Sequence, residues 1–265
     1  MTADADRAAH ALLTALRLMM RSLPGMYEKP VSSSVVGLVS GLPLPTLNGV
    51  FTDADHPDLA EISSAAASMA GLAVPWSIQL RGEPTPELER LAAEYGLTAR
   101  TTEPLMLYRP VPGQHLPPAR EAAADRIVVA GLADQFDYAA GLAAGFEAPP
   151  EIMAPFSAPE VFTIPGVVPY LAREDNGDVA TVGLGVFTEG IAGVFNIATP
   201  PAYRGRGYGR AVTSRIVADG IARGAGLAYL LATEAGYPLY QSMGFRTVEN
   251  MTYLMSGERT RTRPG

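Results

Sequence analysis

The most informative part of this sequence is Tyr203-Arg204-Gly205-Arg206-Gly207-Tyr208-Gly209-Arg210. Residues 191–199 before it are mostly apolar and lead into Pro200-Pro201, a pattern that predicts a strand with an abrupt end. Apolar residues then recur at three- and four-residue steps over 211–223, which predicts a helix. Glycines let backbone N–H groups approach an oxygen, and the helix dipole adds partial positive charge. The stretch is therefore predicted to bind an anion, with a pyrophosphate as the expected ligand.

Two other phosphate-binding loops do not fit this stretch. A Walker loop requires Gly-Lys-Ser/Thr, and the only lysine of the chain is Lys29. The glycines lack the spacing of the dinucleotide fingerprint, and no acidic residue follows at the required distance on a second strand. Arg204, Gly207 and Gly209 do match the signature Arg/Gln-x-x-Gly-x-Gly/Ala. In this the chain resembles the GNAT acetyltransferases.

A second motif supports the resemblance. Downstream of the loop, Leu239-Tyr240-Gln241-Ser242-Met243-Gly244-Phe245 is similar to the family's Leu-Tyr-x-x-x-Gly-Phe motif, and the matching segments together cover residues 126–255. The resemblance implies that Tyr240 donates a proton to the departing CoA thiolate; a tyrosine that only packs is the alternative. One position departs from the family, because Thr233 stands where many relatives carry an asparagine that contacts CoA.

The resemblance also implies where acetyl-CoA, the cosubstrate, binds. Backbone groups of the splayed strand end pair with the pantetheine arm, and an N–H near Ile197 polarises the thioester carbonyl. The loop and the start of the helix hold the pyrophosphate. The cofactor-binding residues implied in this way are Ile197, Ala198, Thr199, Arg204, Gly205, Arg206, Gly207, Tyr208, Gly209 and Arg210. A plain turn with a solvated charged tip is the alternative for the loop taken alone.

The implied activity is that of an N-acetyltransferase, an acyltransferase that moves an acetyl group from acetyl-CoA to an amine by direct transfer in a ternary complex. The acceptor is a small-molecule or peptide amine, and an acidic surface favours a cationic one. The general base stays open among Glu189, Glu147, Glu174 and a chain of water molecules. On the acceptor side the candidates are Phe146, Glu147 and Glu151, with simple surface exposure as the alternative. A non-catalytic CoA-binding sensor or subunit on the same fold is the alternative function.

Composition narrows the class of protein. A length of 265 residues predicts two domains, and 48% hydrophobic with 18% charged residues is typical of a globular protein. No run of 18 apolar residues predicts a membrane span, and a net charge of −7 argues against nucleic acid as a partner. The absence of cysteine excludes thiolate metal sites, and three scattered histidines predict no metal. The acidic amino terminus is unlike a secretory signal, so a cytoplasmic location is expected. A homodimer is left open.

The first half of the chain echoes the second. Its patterns predict, in order, a helix at 5–20, a loop at 22–30, strands at 35–39 and 45–51, a helix at 59–69, a strand at 74–80, a helix at 87–95 and a strand at 98–108. The separation between Asn48 and Asn196 equals that between Gly96 and Gly244, which favours a tandem duplication. By the same separation Leu59 and Glu61 stand in place of the loop glycines Gly207 and Gly209, and Ala92 stands in place of Tyr240. The first half is therefore predicted to be a degenerate GNAT-like domain without the chemistry.

The predicted fold is α/β, of the α+β kind. It consists of tandem GNAT-like folds, each with a mixed, mostly antiparallel central sheet flanked by helices. Residues 1–108 form the degenerate domain, and the proline-rich segment 109–125 is a linker. Residues 126–256 form the catalytic domain, and 257–265 are a flexible tail.

Overall fold

The computed structural model of the protein describes residues 2–23, 25–111, 116–117 and 119–256. The predicted tail and part of the predicted linker lie outside these residues. Contacts between residues divide the chain into unit 1, residues 1–24 and 104–249, and unit 2, residues 25–103 and 250–265. In chain order the helices and strands are α1 Thr2–Met20, β1 Tyr27–Pro30, β2 Val35–Val39, β3 Asn48–Thr52, α2 Leu59–Met69, β4 Ser77–Arg81, α3 Pro86–Glu94, β5 Ala99–Tyr108, α4 Glu121–Ala124, β6 Ile127–Val129, α5 Gln135–Phe146, α6 Pro150–Met153, β7 Val167–Arg173, β8 Val179–Thr188, β9 Ile191–Ala198, α7 Tyr208–Ala222, β10 Leu227–Leu231, α8 Tyr237–Ser242 and β11 Arg246–Met255.

Unit 1 is built on strands in the order β5-β10-β9-β8-β7-β6, antiparallel except for the parallel pair β9 and β10. Buried apolar residues of α7, among them Val212 and Ile216, share a core with Ala228 and Leu230 of β10. A second cluster joins α5 to Leu171 and Val182. A third packs Ala15 of α1 against Leu184 and Val186 of β8. Because successive side chains of a strand alternate in direction, helices are required on both faces of this sheet.

Unit 2 is a smaller sheet of the same mixed kind, with helices α2 and α3 packed on it. Its strands run β1-β2-β3-β4-β11, with β3 and β4 parallel and the other pairs antiparallel. Helices α2 and α3 bury Ile62, Met69 and Leu88 in one cluster with Val50 and Ile78 of the sheet. The predicted fold class is confirmed, since helices flank a mixed and mostly antiparallel sheet. Among the described helices none is both long and apolar enough to cross a membrane.

The contact units group the ends of the chain differently from the predicted domains 1–108 and 126–256. Helix α1 belongs to unit 1, where its residues Ala8, Ala11 and Ala15 are fully buried. The last strand of each half is exchanged: Leu105–Tyr108 of β5 pair with β10, and Met251–Met255 of β11 pair with β4. The segment predicted as a linker contributes α4, whose Ala123 is buried in the core of unit 1. The predicted domains 1–108 and 126–256 therefore remain a prediction. The contact units differ from them because each unit includes the last strand of the other half.

Most predicted elements appear within a few residues of their predicted positions. The predicted strand at 45–51 begins only at Asn48, because Pro45–Leu47 form a short 3₁₀ turn. Strand β1 lies in the segment 22–30 that was predicted as a loop. Its sequence, Tyr-Glu-Lys-Pro, lacks the apolar alternation by which strands are recognised.

The proposed repeat has a local structural counterpart after α3 and α8. Gly96 and Gly244 both have positive φ, 75° and 92°, directly after their helices. In each case the next residue donates its N–H to the helix, to the carbonyl oxygen of Ala92 in α3 and of Tyr240 in α8. Because the two glycine caps have the same hydrogen-bond geometry, Ala92 and Tyr240 occupy equivalent places in their helices.

The asparagines that suggested the repeat are not equivalent in this way. Asn48 begins β3 with φ −137°, and its side chain accepts the N–H of Ser40 at 2.8 Å. Asn196 lies inside β9 with φ 53°. The two residues therefore perform different local roles.

Candidate active site

The loop that decided the sequence interpretation opens on a cavity of about 670 Å³ in unit 1. Four pieces of the fold meet there: the end of α5, the end of β9 with the loop after it, the first turn of α7, and α8 with the turn before it. The lining residues are Gly145, Phe146, Glu147, Ile197, Thr199, Tyr203, Arg204, Gly205, Gly207, Tyr208, Gly209, Arg210, Thr233, Ala235, Gly236, Leu239 and Tyr240. Eight of the ten predicted cofactor-binding residues and Tyr240 are thus brought together; Ala198 and Arg206 are not among the lining residues.

The amino terminus of α7 is open toward this cavity. Gly207 stands at the N-cap position with φ 94°, and among the described residues no side chain caps the first turn of the helix. The first N–H groups of a helix lack partners within the helix and carry its positive dipole end. A β-carbon on Gly209 would lie 3.2 Å from Cδ2 of Leu239, so a side chain there would crowd the cavity. Backbone donors at this helix end are accessible because these positions are glycine.

Arg120 is a neighbour of the loop that the sequence interpretation did not identify. Its side-chain carbons lie 3.4–3.6 Å from the position that a β-carbon of Gly207 would occupy. The residue falls in the predicted linker, where no motif distinguishes it from an ordinary surface arginine. Only the tertiary structure brings this cation to the loop.

Strand β9 separates from β10 before it reaches the cavity. The parallel pairing joins Ile191–Gly193 to Leu227–Tyr229 and goes no further. On its other edge β9 pairs with β8, but the register shifts between Phe195 and Ala198, where Asn196 has the left-handed φ of 53°. A bulge of this kind bends a strand and re-aims its backbone groups. Ile197 and Thr199 consequently line the cavity, whereas the side chain of Ala198 is buried beneath it.

The guanidinium of Arg204 ties the wall of the cavity together. Its Nε donates to the carbonyl oxygen of Thr199 at 3.1 Å, and its Nη2 donates to that of Gly145 at 2.9 Å. The same Nη2 lies 2.7 Å from a carboxylate oxygen of Glu147, which follows α5 with φ 53°. We call these contacts the Arg204 clasp. A β-carbon on Gly145 would lie only 2.6–2.8 Å from Ala198 and Thr199, so the helix end packs directly on the strand end.

The other two arginines of the loop point in different directions. Arg206 lies beside a separate hollow, 3.4 Å from Glu174, with its guanidinium 5.1 Å from the ring centre of Tyr203. Arg210 lines the cavity and donates to Oγ of Ser242 at 2.6 Å. The side chain of Arg206 therefore packs on the outside of the loop. Only its backbone lies next to the glycines that line the cavity.

Tyr240 projects from α8 into the cavity wall. Its side chain is 7% exposed, and its ring packs against Phe245 with the ring centres 6.0 Å apart. Burial raises the pKa of Tyr240 to about 12, because ionisation would place a charge in an apolar environment. The phenol is therefore protonated at neutral pH.

Thr233 stabilises the turn that precedes α8. Its hydroxyl accepts the N–H of Gly236 at 3.1 Å, and its carbonyl oxygen accepts the N–H of Tyr237 at 2.9 Å. The hydroxyl is thus engaged in the fold, although Thr233 lines the cavity. The residue that departs from the family motif here has a local structural role.

The acidic candidates separate by position. Glu147 lines the cavity but is paired with Arg204. Glu174 lies at the separate hollow and contacts Arg126 and Arg206. Glu189 lies in the turn between β8 and β9, 3.9 Å from His10 of α1. Of the acceptor-side candidates, Phe146 is 44% exposed and lines the cavity, whereas Glu151 is exposed and does not line it.

Comparisons with known proteins match the part of the chain that contains the cavity loop. Residues 165–247, which contain both motifs, match the family model described as an acetyltransferase (GNAT) domain. A search of curated protein sequences found no match.

Solved structures share the fold. A GCN5-related N-acetyltransferase from Kribbella flavida is similar over 95% of each chain, with a TM-score of 0.63 and 21% identity. A putative GNAT acetyltransferase from Novosphingobium aromaticivorans covers 84% of this chain and 88% of its own, with a TM-score of 0.52 and 22% identity. A tandem GNAT protein from the clavulanic acid biosynthesis pathway covers 78% of this chain and 74% of its own, with a TM-score of 0.53 and 12% identity.

Proposed function

We propose that this chain, an acetyltransferase whose GNAT domain includes residues 165–247, moves an acetyl group from acetyl-CoA to an amine by direct transfer in a ternary complex. The observation that carries the proposal is that a single cavity is lined by an uncapped helix end, a splayed strand end and a buried tyrosine. Each supplies a different requirement of acyl transfer: binding of the pyrophosphate, polarisation of the carbonyl and stabilisation of the leaving sulfur.

The pyrophosphate is assigned to the loop and the first turn of α7. Backbone N–H groups from Gly205 to Arg210 bind it, with the helix dipole adding to the attraction. The open glycine cradle supports this assignment, since a side chain at Gly209 would meet Leu239. Arg210 and Arg120 are the nearby cations that add positive charge.

The reacting carbonyl is assigned to the splayed end of β9. Backbone groups of Ile197, Ala198 and Thr199 pair with the pantetheine arm, and an N–H near Ile197 stabilises the negative charge that develops on the thioester oxygen. The divergence of β9 from β10 after Gly193 supports this assignment, because it frees one edge of the strand.

The acceptor nitrogen attacks the thioester carbon, a C–N bond forms, the C–S bond breaks, and the sulfur leaves with the electron pair. Tyr240 is assigned to the departing sulfur. A thiol has a pKa of about 8.5, whereas burial raises the pKa of Tyr240 to about 12. Transfer of the phenolic proton to the thiolate is therefore unfavourable, so Tyr240 stabilises the departing sulfur by donating a hydrogen bond, and the thiolate takes its proton from water.

The acceptor is a small-molecule or peptide amine that loses its proton to a base or arrives deprotonated. Glu147 is the acidic candidate that lines the cavity, and a water chain serves equally as the proton route. The proposal includes a cytoplasmic location, where acetyl-CoA is available.

Isothermal titration with acetyl-CoA tests the cradle. We expect micromolar binding by the unmodified protein and loss of binding in Gly207→Glu. The new carboxylate would occupy the anion site and repel the pyrophosphate of acetyl-CoA. Gly224→Glu is the matched control: Gly224 follows the other end of α7 with φ 90° and an open surrounding, so it carries the same backbone strain away from the cavity. Absence of binding by the unmodified protein, or equal loss in both variants, would overturn the assignment.

A further inference from the structure

A fully buried threonine, Thr181 of β8, holds the end of β9 through its hydroxyl group. The hydroxyl donates to the carbonyl oxygen of Ala198 at 3.0 Å, and its oxygen lies 3.0 Å from the hydroxyl oxygen of Thr199. Thr199 is half-buried and lines the cavity, whereas Thr181 is not among the lining residues. Thr181 is therefore connected to the cavity through its neighbour on β9.

The hydrogen bonds of the two hydroxyl groups have a defined direction. A threonine hydroxyl carries one hydrogen and two lone pairs, and a carbonyl oxygen can only accept. Because the hydrogen of Thr181 goes to the carbonyl oxygen of Ala198, the bond between the two hydroxyl groups uses the hydrogen of Thr199. The Thr199 oxygen then has no hydrogen left to donate. The buried hydroxyl of Thr181 thus makes a group in the cavity wall an acceptor alone.

This acceptor oxygen of Thr199 lies close to the start of α7. It is 3.8 Å from the position that a β-carbon on Gly209 would occupy. The backbone carbonyl oxygen of Thr199 accepts Nε of Arg204 at 3.1 Å, so the Arg204 clasp holds the main chain while Thr181 holds the side chain. An acceptor that is fixed before the ligand arrives lowers the entropic cost of binding a donor.

The polarity of the Thr199 oxygen favours one part of acetyl-CoA over another. The pyrophosphate oxygens are acceptors and carry negative charge, so this oxygen offers them no hydrogen bond and repels them. The pantetheine arm carries donors, a hydroxyl and amide N–H groups. A donor of the arm is therefore favoured against the end of β9, and the pyrophosphate is left to the N–H groups of α7.

We propose that Thr199, oriented by Thr181, accepts a hydrogen bond from the pantetheine arm of acetyl-CoA and so fixes how far the arm enters the cavity. The inference rests on the proposed function, because it requires acetyl-CoA in this cavity. Thr199 contacts the ligand, and Thr181 is a positioning residue that acts through it. The depth of the arm matters because the thioester carbonyl has to reach the N–H near Ile197.

Titration with two ligands tests the proposal. One is acetyl-CoA, and the other is 3′-phosphoadenosine 5′-diphosphate, which has the phosphates of CoA but no pantetheine arm. We expect Thr199→Val to raise the dissociation constant of acetyl-CoA about 3- to 10-fold, the effect of one lost hydrogen bond, and Thr181→Val to raise it at least about 3-fold. Neither variant changes the dissociation constant of the second ligand by more than about 2-fold, because no phosphate contact is lost. Thr181→Ser keeps the hydroxyl and binds acetyl-CoA like the unmodified protein.

Thr213→Val is the matched control. Thr213 is fully buried in α7, and its hydroxyl has no hydrogen-bond partner in the part of the chain that the structure describes. The same substitution there removes no contact, so the affinity for acetyl-CoA is unchanged. When Thr181→Val is added to Thr199→Val, the dissociation constant stays within about 2-fold of that of Thr199→Val alone, because Thr181 acts through Thr199. Circular dichroism shows whether each variant is folded.

Three results would overturn the proposal. One is an unchanged affinity of Thr199→Val for acetyl-CoA. The second is an equal loss of affinity for both ligands in Thr199→Val. The third is a further loss of about 3-fold or more when Thr181→Val is added to Thr199→Val, which would mean that Thr181 acts by another route. Failure of the unmodified protein to bind acetyl-CoA would contradict the proposed function itself, so the two failures are distinguishable.

Discussion

Helices α7 and α2 follow corresponding parallel strands of the two units and differ at their amino termini. In α7 the N-cap is Gly207, and no side chain in the described part of the chain caps the first turn. In α2 the N-cap is Asp58, whose carboxylate accepts the N–H of Ala60 at 2.7 Å. A carboxylate of the protein therefore occupies, in unit 2, the kind of site that α7 leaves open for an external anion. An anion site at a helix start can thus be lost when the chain itself supplies the anion.

Helices α8 and α3, the next helices of the two units, differ in a similar way. Tyr240 in α8 and Ala92 in α3 precede equivalent glycine caps, yet only the tyrosine offers a hydroxyl to a cavity. Unit 2 does have a hollow at this place, lined by Leu59, Ser63, Glu87, Arg90 and others. Its walls lack both the open glycine loop and the phenol. Chemistry is therefore expected in unit 1 alone.

The largest effect is expected for Tyr240→Phe. Removing a hydrogen bond to a developing thiolate lowers kcat about 10- to 100-fold, whereas the dissociation constant of acetyl-CoA stays within about 2-fold, because no pyrophosphate contact changes. Steady-state rates of thiol release, with binding by titration, measure both. Tyr237→Phe on the same helix is the control. Unchanged turnover in Tyr240→Phe would show that the hydroxyl has no part in the mechanism. Helix α8 would then resemble α3, which contributes no catalytic side chain.

A smaller effect is expected for Glu147→Gln, which weakens the Arg204 clasp. The pair is half exposed, and such pairs contribute at most about 1 kcal/mol, so the affinity for acetyl-CoA falls about 3-fold as the α5 wall loosens. Titration of Glu147→Gln beside Glu151→Gln, an exposed glutamate outside the cavity, checks this expectation. Tighter binding by Glu147→Gln would mean instead that Glu147 competes with the pyrophosphate for Arg204.

Asp58→Ala tests the other member of the comparison. Loss of an N-cap carboxylate lowers the free energy of unfolding by about 1 kcal/mol, which chemical denaturation measures against Asp55→Ala as the control. The stoichiometry of acetyl-CoA stays at one per chain, because α2 still lacks the glycine loop. A second bound molecule in Asp58→Ala would show that the capping carboxylate alone had closed the site in unit 2.

The smallest effect on activity is expected from pH. Because burial raises the pKa of Tyr240 to about 12, its ionisation leaves kcat unchanged between about pH 7 and 10. The raised pKa of Tyr240 also makes the free energy of unfolding depend on pH. The folded state binds the phenolic proton more tightly than the unfolded state does, so this contribution is complete below pH ~10 and is lost as pH rises toward 12. A kcat that declines with a midpoint below pH 9, and does so equally in Tyr240→Phe, would assign the decline to another group.

Much of the fold was predictable, because its signals are local. The apolar run at 227–231 predicts a strand and the pattern at 59–69 predicts a helix, and both elements have these bounds in the structure. The two motifs predicted a common site, and eight of the ten predicted cofactor residues and Tyr240 do line one cavity. Strand β1, Arg120 and the Arg204 clasp were not predictable, because each depends on neighbours distant in sequence that no periodicity encodes.

The amino-acid sequence alone predicts the order of helices and strands, the glycine loop at a helix start, and the absence of that loop from the first half. These follow from backbone preferences that act over a few residues, such as the freedom of glycine at positive φ. Three features appear only in the folded chain: β5 and β11 are exchanged, Arg206 turns outward to Glu174, and Glu147 pairs with Arg204. Strand pairing and ion pairing depend on which distant surfaces meet, and many partners in a sequence satisfy the same local pattern.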